Sequence, residues 1–327
     1  MVLRAVIAAT GRYLPEKIVS NKDLEKIVDT NDEWIEQRSG IKTRHFAAEN
    51  QSAADLAIEA ARDLIRSGNI DPQEIDCIIV ATTTPDQTFP SVAVKVQAAL
   101  DIPPCTAFDV QAVCTGFVYA FSIANSMIVS GQVKRVLVIG AEKMSSILNW
   151  EDRTTCVLFG DGAGAVLLEA QENTGANGSL SDQGVLSSHL YAEGRLKDIL
   201  YVDGGVSSTK TTGHIVMQGK EVFKYAVQFM SDVVTEVLEK NKITTLDIDW
   251  LIPHQANIRI IEAIAKRLDL PMEKVIVTVR DHGNTSAASI PLALDQAIKS
   301  GRIKRGDMLL IEGMGGGLTW GAVLARY

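Results

Sequence analysis

The chain repeats itself. Ser130–Arg135 (SGQVKR) returns as Ser300–Arg305 (SGRIKR), and each copy precedes a strand-like run ending in glycine. Leu100-Asp101-Ile102-Pro103 returns as Leu268-Asp269-Leu270-Pro271, and Asn69–Val80 (NIDPQEIDCIIV) as Lys242–Pro253 (KITTLDIDWLIP). Gly164–Leu167 (GAVL) returns as Gly321–Leu324. Four matches in one order, offset by about half the chain, mark two similar halves. We divide them as 1–171 and 172–327, the second range beginning with a linker.

Helix-like and strand-like segments alternate through both halves. Ser52–Arg66 places Leu56, Ala60 and Leu64 on one helical face. Asp76–Thr82 (DCIIVAT), Val133–Gly140 (VKRVLVIG), Trp250–Ile252 and Met308–Ile311 read as short buried strands. The expectation is an α/β architecture. Glu172–Gly219, rich in Gly, Ser, Thr and Asn, reads as a connection between the halves. The alternative is that its later part covers a pocket.

Composition excludes some function classes. With 327 residues, 46% of them hydrophobic, there is ample material for a large core. The net charge of -8 argues against a nucleic-acid binder. No segment approaches the length of apolar chain that spans a bilayer, and the longest, Phe117–Val129, is interrupted by Ser122, Asn125 and Ser126. The apolar start is too short for a secretory signal core, so a cytoplasmic protein is expected. The four cysteines show neither CxxC pairs nor zinc-like spacing with histidine, and no metal site is expected.

Chemistry concentrates in three places. Asp109–Gly116 (DVQAVCTG) is followed by an apolar stretch with Phe117, Phe121, Ala124 and Ile128 at helical spacing. A buried helix therefore starts near Cys114, where unpaired N–H groups and the positive dipole end favour a thiolate. The residues alone equally allow a packed core thiol. Cys156, in the run TTCVLF, reads as core strand. His254 follows the strand-like WLIP, a position that faces pockets in α/β proteins. His282 is the runner-up, and either could be a structural histidine. Asn284 lies in a Gly-Asn-Thr-Ser stretch before a helix expected over Ala287–Ser300, where it reads as an N-cap or as a site residue. Gly315-Gly316-Gly317 reads as a loop whose N–H groups approach a substrate oxygen. The glycines from 160 to 164 lack the dinucleotide fingerprint.

Assembled, these segments resemble β-ketoacyl-acyl-carrier-protein synthase III, of the thiolase superfamily. The resemblance runs essentially end to end. It rests on AVCTGF around Cys114, PHQANIRI from Pro253, HGNTSAAS from His282, FGDGAG from Phe159 and GGGLTWG from Gly315, with DTNDEWIEQRSGI from Asp29 and ATTTPDQTFPS from Ala81. It implies a thiolase-like five-layer αβαβα fold and a homodimer. It implies that Cys114 takes a short acyl group from acyl-CoA and condenses it with malonyl-acyl carrier protein, with loss of CO2. His254 and Asn284 would then stabilise the enolate, and the backbone N–H groups of Cys114 and Gly316 would form an oxyanion hole. No cofactor is implied, since acyl-CoA is a substrate.

The same resemblance places Trp34 and Arg153 at the CoA adenine and Arg38 at its phosphates, with Gly219 and Asn257 along the pantetheine tunnel. Lys224, Arg259, Lys266 and Arg267 would dock the acidic carrier protein, or be ordinary solvated helix charges. Phe89 would cross the dimer to close the partner's acyl pocket. The chain departs from the family at Met314 and Leu318, where aromatics are common, and at Thr115, where Ala is frequent. These positions leave the acyl preference open. The rival readings are a Cys-His-Asn condensing enzyme of secondary metabolism with another donor or acceptor, and a non-enzymatic CoA- or acyl-binding regulator. A degradative thiolase is disfavoured, because the late cysteine near the C-terminal glycines is missing.

Overall fold

The structure, a computed structural model, describes residues 2–173 and 183–327. Part of the expected linker, 174–182, lies outside the described residues.

Two sheets carry the duplication. The first takes all its strands from the first half, in the order β1 (Val2–Tyr13), β7 (Asp161–Asn173), β6 (Arg135–Lys143), β4 (Cys77–Ala81) and β5 (Thr106–Val110). The second has the order β11 (Trp250–Pro253), β12 (Met308–Gly315), β13 (Thr319–Arg326) and β8 (Gly184–Ala192). β4 and β6 run parallel, as do β11 and β12; β7 and β13 then reverse direction. The counterpart of β5 is reduced to a single bridge between Leu251 and Val275. Two small ribbons complete the strands, β2 (Lys17–Ser20) with β3 (Thr43–Phe46) and β9 (Leu200–Val202) with β10 (Ile215–Met217).

Helices fill the spaces between and outside the sheets. α3 (Ala53–Gly68) and α4 (Val92–Ala99) cover the outer face of the first sheet, where Leu56, Leu64 and Val96 meet Ile78, Val80 and Leu137. α5 (Gly116–Val129) and α9 (Ser289–Lys299) form a central layer against both sheets. Phe117, Phe121, Ile290 and Leu294 there join Ile79 and Val138 of one sheet and Ile311 and Val323 of the other. α6 (Gly219–Asn241) and α7 (Ile258–Arg267) cover the second sheet's outer face. The short helices α1 (Asn21–Leu24), α2 (Asp32–Ser39) and α8 (Val279–His282) lie in the connections. The order is helix, sheet, helix, sheet, helix, the five-layer α/β fold expected from the sequence. It explains why the strands read as unbroken apolar runs. In β4, Ile79 faces the central layer while Ile78 and Val80 face α3, so both faces are dry.

The repeat extends to backbone torsions. Val113 and Ser286 both have φ of 49°, and Gly131 and Gly301 both 75°. Asp101 and Asp269 both have 51°, and Asn69 and Lys242 have 51° and 55°. These pairs fix the correspondence that sequence matching left loose: Cys114 is equivalent to Ala287, so Asn284 lies three residues before Cys114's counterpart.

Three local expectations are corrected. Cys156 is buried in a turn, not a strand. The Asp152 carboxylate takes the Thr154 N–H and the Thr155 hydroxyl, while its carbonyl takes the Cys156 N–H, and this local bonding outcompetes a ladder. The linker contains strand β8, and its residues from Leu200 to Gly219 contribute cavity wall. Gly315 ends β12, so only Gly316–Leu318 form the turn between β12 and β13.

Phe121 is 1% exposed in the central layer. Phe121→Ala should lower the unfolding free energy by about 3–5 kcal/mol, through lost transfer energy and the cavity left behind. Denaturant unfolding against the unaltered protein measures it.

Candidate active site

The starts of α5 and α9 meet between the sheets. Val113–Thr115 and Ser286–Ala288 each make one 3-10 turn leading into these helices. A Cβ on Gly116 would lie 3.5 Å from that of Ala287, which shows how closely the two turns approach, and only 3.2 Å from that of Ala81. A Cβ on Gly315 would strike the backbone nitrogen of Cys114, which places the end of β12 directly against the same turn.

Cys114, His254, Asn284 and Gly316 all line one cavity of ≈ 1470 Å3. Each comes from a different part of the chain. His254 follows β11, and its N–H donates to the Glu312 carbonyl at 2.8 Å. Its Nδ1 meets Ser289 Oγ at 2.7 Å, and that oxygen also accepts the Gln255 N–H at 3.3 Å. With the Ser289 hydroxyl donating to Nδ1, the ring proton sits on Nε2, the nitrogen left without this partner. Burial pushes the imidazole pKa down to about 3, so the ring is neutral. Asn284 is fixed by its main chain, with its N–H on the Leu158 carbonyl and its carbonyl accepting from Gly160. Its Oδ1 accepts the Ser286 N–H at 2.9 Å, so the amide oxygen is committed and the NH2 end is the one left to donate. Asn284 therefore caps no helix itself: α9 starts at Ser289, behind the 3-10 turn. His282 is buried but absent from the cavity lining.

Cys114 corrects an expectation. Burial pushes its thiol up to about 12; a hydrogen bond from Ser286 and its own N–H lower it, and the nearby Glu142 charge raises it. Burial of the sulfur therefore opposes the thiolate that the helix start favours.

Other sequence candidates sort by position. Trp34 and Arg38 line the cavity, and Arg38 and Arg153 lie over the Trp34 ring at 5.0 and 5.3 Å. Arg153 also donates to the Asp29 carbonyl at 2.9 Å. Gly219 and Asn257 line the cavity, and the Asn257 amide donates to the Arg38 carbonyl at 3.0 Å. Arg259 lines it too, whereas Lys266 and Arg267 sit at the opposite end of α7, about 12 Å along the axis at 1.5 Å per residue. Arg267 is paired with Asp232 at 2.8 Å, and exposed Lys224 faces Glu221 at 3.8 Å. Phe89 is 81% exposed on the loop after β4 and does not line this chain's cavity. Met314 lines the cavity, while Leu318 is buried among α6 and α7 residues. Thr115 turns its hydroxyl to the Thr319 carbonyl at 2.8 Å, away from nucleophilic use. The sequence reading missed Ser286, Ser289 and Glu142. The two serines lay inside the HGNTSAAS motif, but nothing in a linear pattern showed their partners.

Comparison with known proteins agrees with this geometry. Residues 108–194 match the family model for 3-oxoacyl-[acyl-carrier-protein] synthase III, and residues 238–327 match its C-terminal model. The β-ketoacyl-[acyl-carrier-protein] synthase III of Rhodospirillum centenum is 56% identical over 327 residues, covering all of both chains. The chain belongs to this family. It is a condensing acyltransferase, an initiating enzyme of fatty acid synthesis. The crystal structure of 3-oxoacyl-[acyl-carrier-protein] synthase III from Aquifex aeolicus is 51% identical with a TM-score of 0.92, covering 99% of this chain and 100% of that one. A priming β-ketosynthase of the R1128 polyketide pathway is more distant, at 32% identity and a TM-score of 0.90, covering 99% and 96%.

A neutral buried His254 has a consequence for stability. The unfolded side chain titrates near 6.5 and the folded one near 3, so the unfolded state binds the extra proton between them. His254 therefore makes the fold progressively less stable as pH falls below about 6.5. Across that range the midpoint of urea denaturation should fall less steeply for His254→Gln than for the unaltered enzyme.

Proposed function

We propose that Cys114 is the nucleophile that accepts an acyl group from acyl-CoA, and that His254 and Asn284 hold the malonyl thioester during decarboxylation. One observation carries this reading: a neutral His254 ring and the Asn284 amide, whose NH2 end is left to donate, share a buried cavity with a cysteine at a helix start. The thiol attacks the acyl thioester, a new S–C bond forms and CoA leaves. Malonyl-acyl carrier protein then loses CO2, and the electron pair of the broken C–C bond passes onto the thioester as an enolate. The enolate carbon attacks the acyl-cysteine, giving 3-oxoacyl-acyl carrier protein and free Cys114.

The residue types suit these steps. Sulfur is both nucleophile and leaving group. Preorganised donors are worth most where charge develops out of water, and neutral ones bring no competing base. The N–H groups of Cys114 and Gly316 would hold the oxyanion of acyl transfer. The sequence is redox-neutral, so we propose it without a metal or redox cofactor.

Trp34, Arg38 and Arg153 form an aromatic and cationic rim suited to a nucleotide and its phosphates, and Gly219 and Asn257 fit the pantetheine arm. Arg259 and Lys224, with the exposed lysines Lys210 and Lys220 of the cavity lining, suit an acidic carrier protein. Lys266 and Arg267 would contribute only as its outer margin. The edge position of β5 and the exposed Phe89 support assembly as a homodimer, with Phe89 closing the partner's acyl pocket. Among the described residues no helix is long and apolar enough to cross a membrane, and we place the enzyme in the cytoplasm.

Condensation assayed with malonyl-acyl carrier protein across acetyl-, butyryl-, branched and long acyl-CoA donors tests the function. Short donors should turn over, and activity with long donors alone would shift the enzyme to a specialised pathway. Cys114→Ser should lose acyl transfer. His254→Ala and Asn284→Ala should still acylate but decarboxylate roughly a hundredfold more slowly or worse, the cost of a lost oxyanion donor. Normal decarboxylation in both variants would remove these side chains from that role.

A further inference from the structure

Glu142, near the end of β6, is a fully buried side chain that the steps above leave unused. Its Oε1 accepts the Ser286 hydroxyl at 3.0 Å and the Thr83 hydroxyl at 3.1 Å. Its Oε2 accepts the Thr84 hydroxyl at 2.7 Å, the Thr83 N–H at 3.0 Å and the Thr82 hydroxyl at 3.3 Å. Thr82–Thr84 follow β4 in the first half, whereas Ser286 belongs to the second. The bond between Glu142 and Ser286 therefore ties the halves together beside the paired helix starts. β6 reaches that turn directly. Gly140, two residues before Glu142 and on the same face, would bring a Cβ within 2.2 Å of the Ala287 carbonyl oxygen.

We infer that Glu142 is a positioning residue for decarboxylation: by holding the Ser286 hydroxyl it keeps the Ser286 N–H on Asn284 Oδ1, and so keeps the Asn284 NH2 available to the substrate. The inference rests on Asn284 being a donor to the malonyl thioester. Ser286 N–H meets Asn284 Oδ1 at 2.9 Å, and this bond distinguishes one end of the amide from the other. His254 is anchored separately, through Ser289 and the Glu312 carbonyl.

The need for an anchor follows from two soft elements. The last side-chain torsion of an asparagine is broad and nearly two-fold, so oxygen and nitrogen exchange places readily. With its oxygen toward the cavity, the amide would repel an enolate instead of donating to it. A main-chain N–H prevents the exchange, because it can only donate, but it does so only while its own turn stays in place. That turn is strained. Ser286 has φ of 49°, a region costly for a residue with a side chain, and such torsions persist where surrounding structure enforces them. Glu142 supplies the enforcement from outside the turn. It is itself immobilised by the four bonds to Thr82–Thr84, and the Thr84 hydroxyl also accepts the Lys143 N–H at 2.9 Å. Thr83 and Thr84 line the same cavity as Cys114, so the tie sets Asn284 against the wall that carries the nucleophile.

The test compares decarboxylation of malonyl-acyl carrier protein in the unaltered enzyme, Glu142→Gln, Ser286→Ala, Asn284→Ala and the double variant Ser286→Ala/Asn284→Ala. In Glu142→Gln the Thr83 N–H keeps the amide oxygen on its side, so an NH2 faces the Ser286 hydroxyl and the acceptor is lost. Ser286→Ala leaves every bond between Glu142 and the threonines in place, and carries the test alone if Glu142→Gln fails to fold. Each single variant at 142 or 286 should lower kcat about tenfold with KM nearly unchanged, less than the roughly hundredfold cost of losing a donor outright. Acylation of Glu142→Gln by acetyl-CoA, followed by intact-protein mass, should stay within about twofold, because that step does not use Asn284. The double variant should match Asn284→Ala within about twofold, since no amide is left to orient, whereas general damage to the fold would add its full cost. Unaltered kcat in Ser286→Ala beside an impaired Asn284→Ala would overturn the inference alone. So would a loss confined to KM, a parallel fall in acylation, or an undiminished tenfold penalty in the double variant. Normal decarboxylation by Asn284→Ala would overturn the role of Asn284, and the inference with it.

Discussion

The abutment of two helix starts between two sheets is the constraint on which the rest depends. α5 and α9 are held in the central layer by apolar contact with both sheets, and their first turns touch across Gly116 and Ala287. That contact requires small residues. A Cβ on Gly140 would land on the Ala287 carbonyl, and one on Gly164 on the backbone of α9. The duplication supplies the geometry, since equivalent turns with the same torsion at Val113 and Ser286 arrive from opposite halves. One half then contributes a thiol and the other the serine and asparagine beside it.

Burial sets the electrostatics of this junction. Removing water raises the thiol of Cys114, raises the carboxyl of Glu142 and lowers His254, so burial favours the neutral form of each. Fixed neutral dipoles are what an enolate needs, because they stabilise charge only when it appears and need no reorganisation. Charged residues are instead found at the rim, where Arg38, Arg153 and Arg259 remain in reach of solvent.

Much of the fold was legible in the sequence. The repeats gave two halves, and apolar runs bounded by turn residues located β4, β6, β11 and β12. Ser52, expected at the start of α3, is its N-cap and forms a capping box with Asp55. Reading failed where side chains bond locally or where a strand carries little pattern. Asp152 turned TTCVLF away from a ladder, and β8 was hidden in a polar stretch because its neighbour β13 supplies the apolar partner face. The thiol of Cys114 was read from its helix start alone, since desolvation depends on what covers a residue and leaves no mark on the local sequence.

The sequence by itself determined the duplicated α/β plan, the cysteine at a helix start, and the histidine and asparagine that accompany it, because these follow from short-range pattern and motif. Only the tertiary structure decided which atoms of those residues are free to act. Ser289 holds Nδ1 of His254, the Ser286 N–H orients Asn284, and the Ser286 hydroxyl is bound to Glu142. The reason is physical: tautomer, amide orientation and proton affinity are set by partners and burial, and Glu142 and Ser286 meet at 3.0 Å across 144 residues of chain.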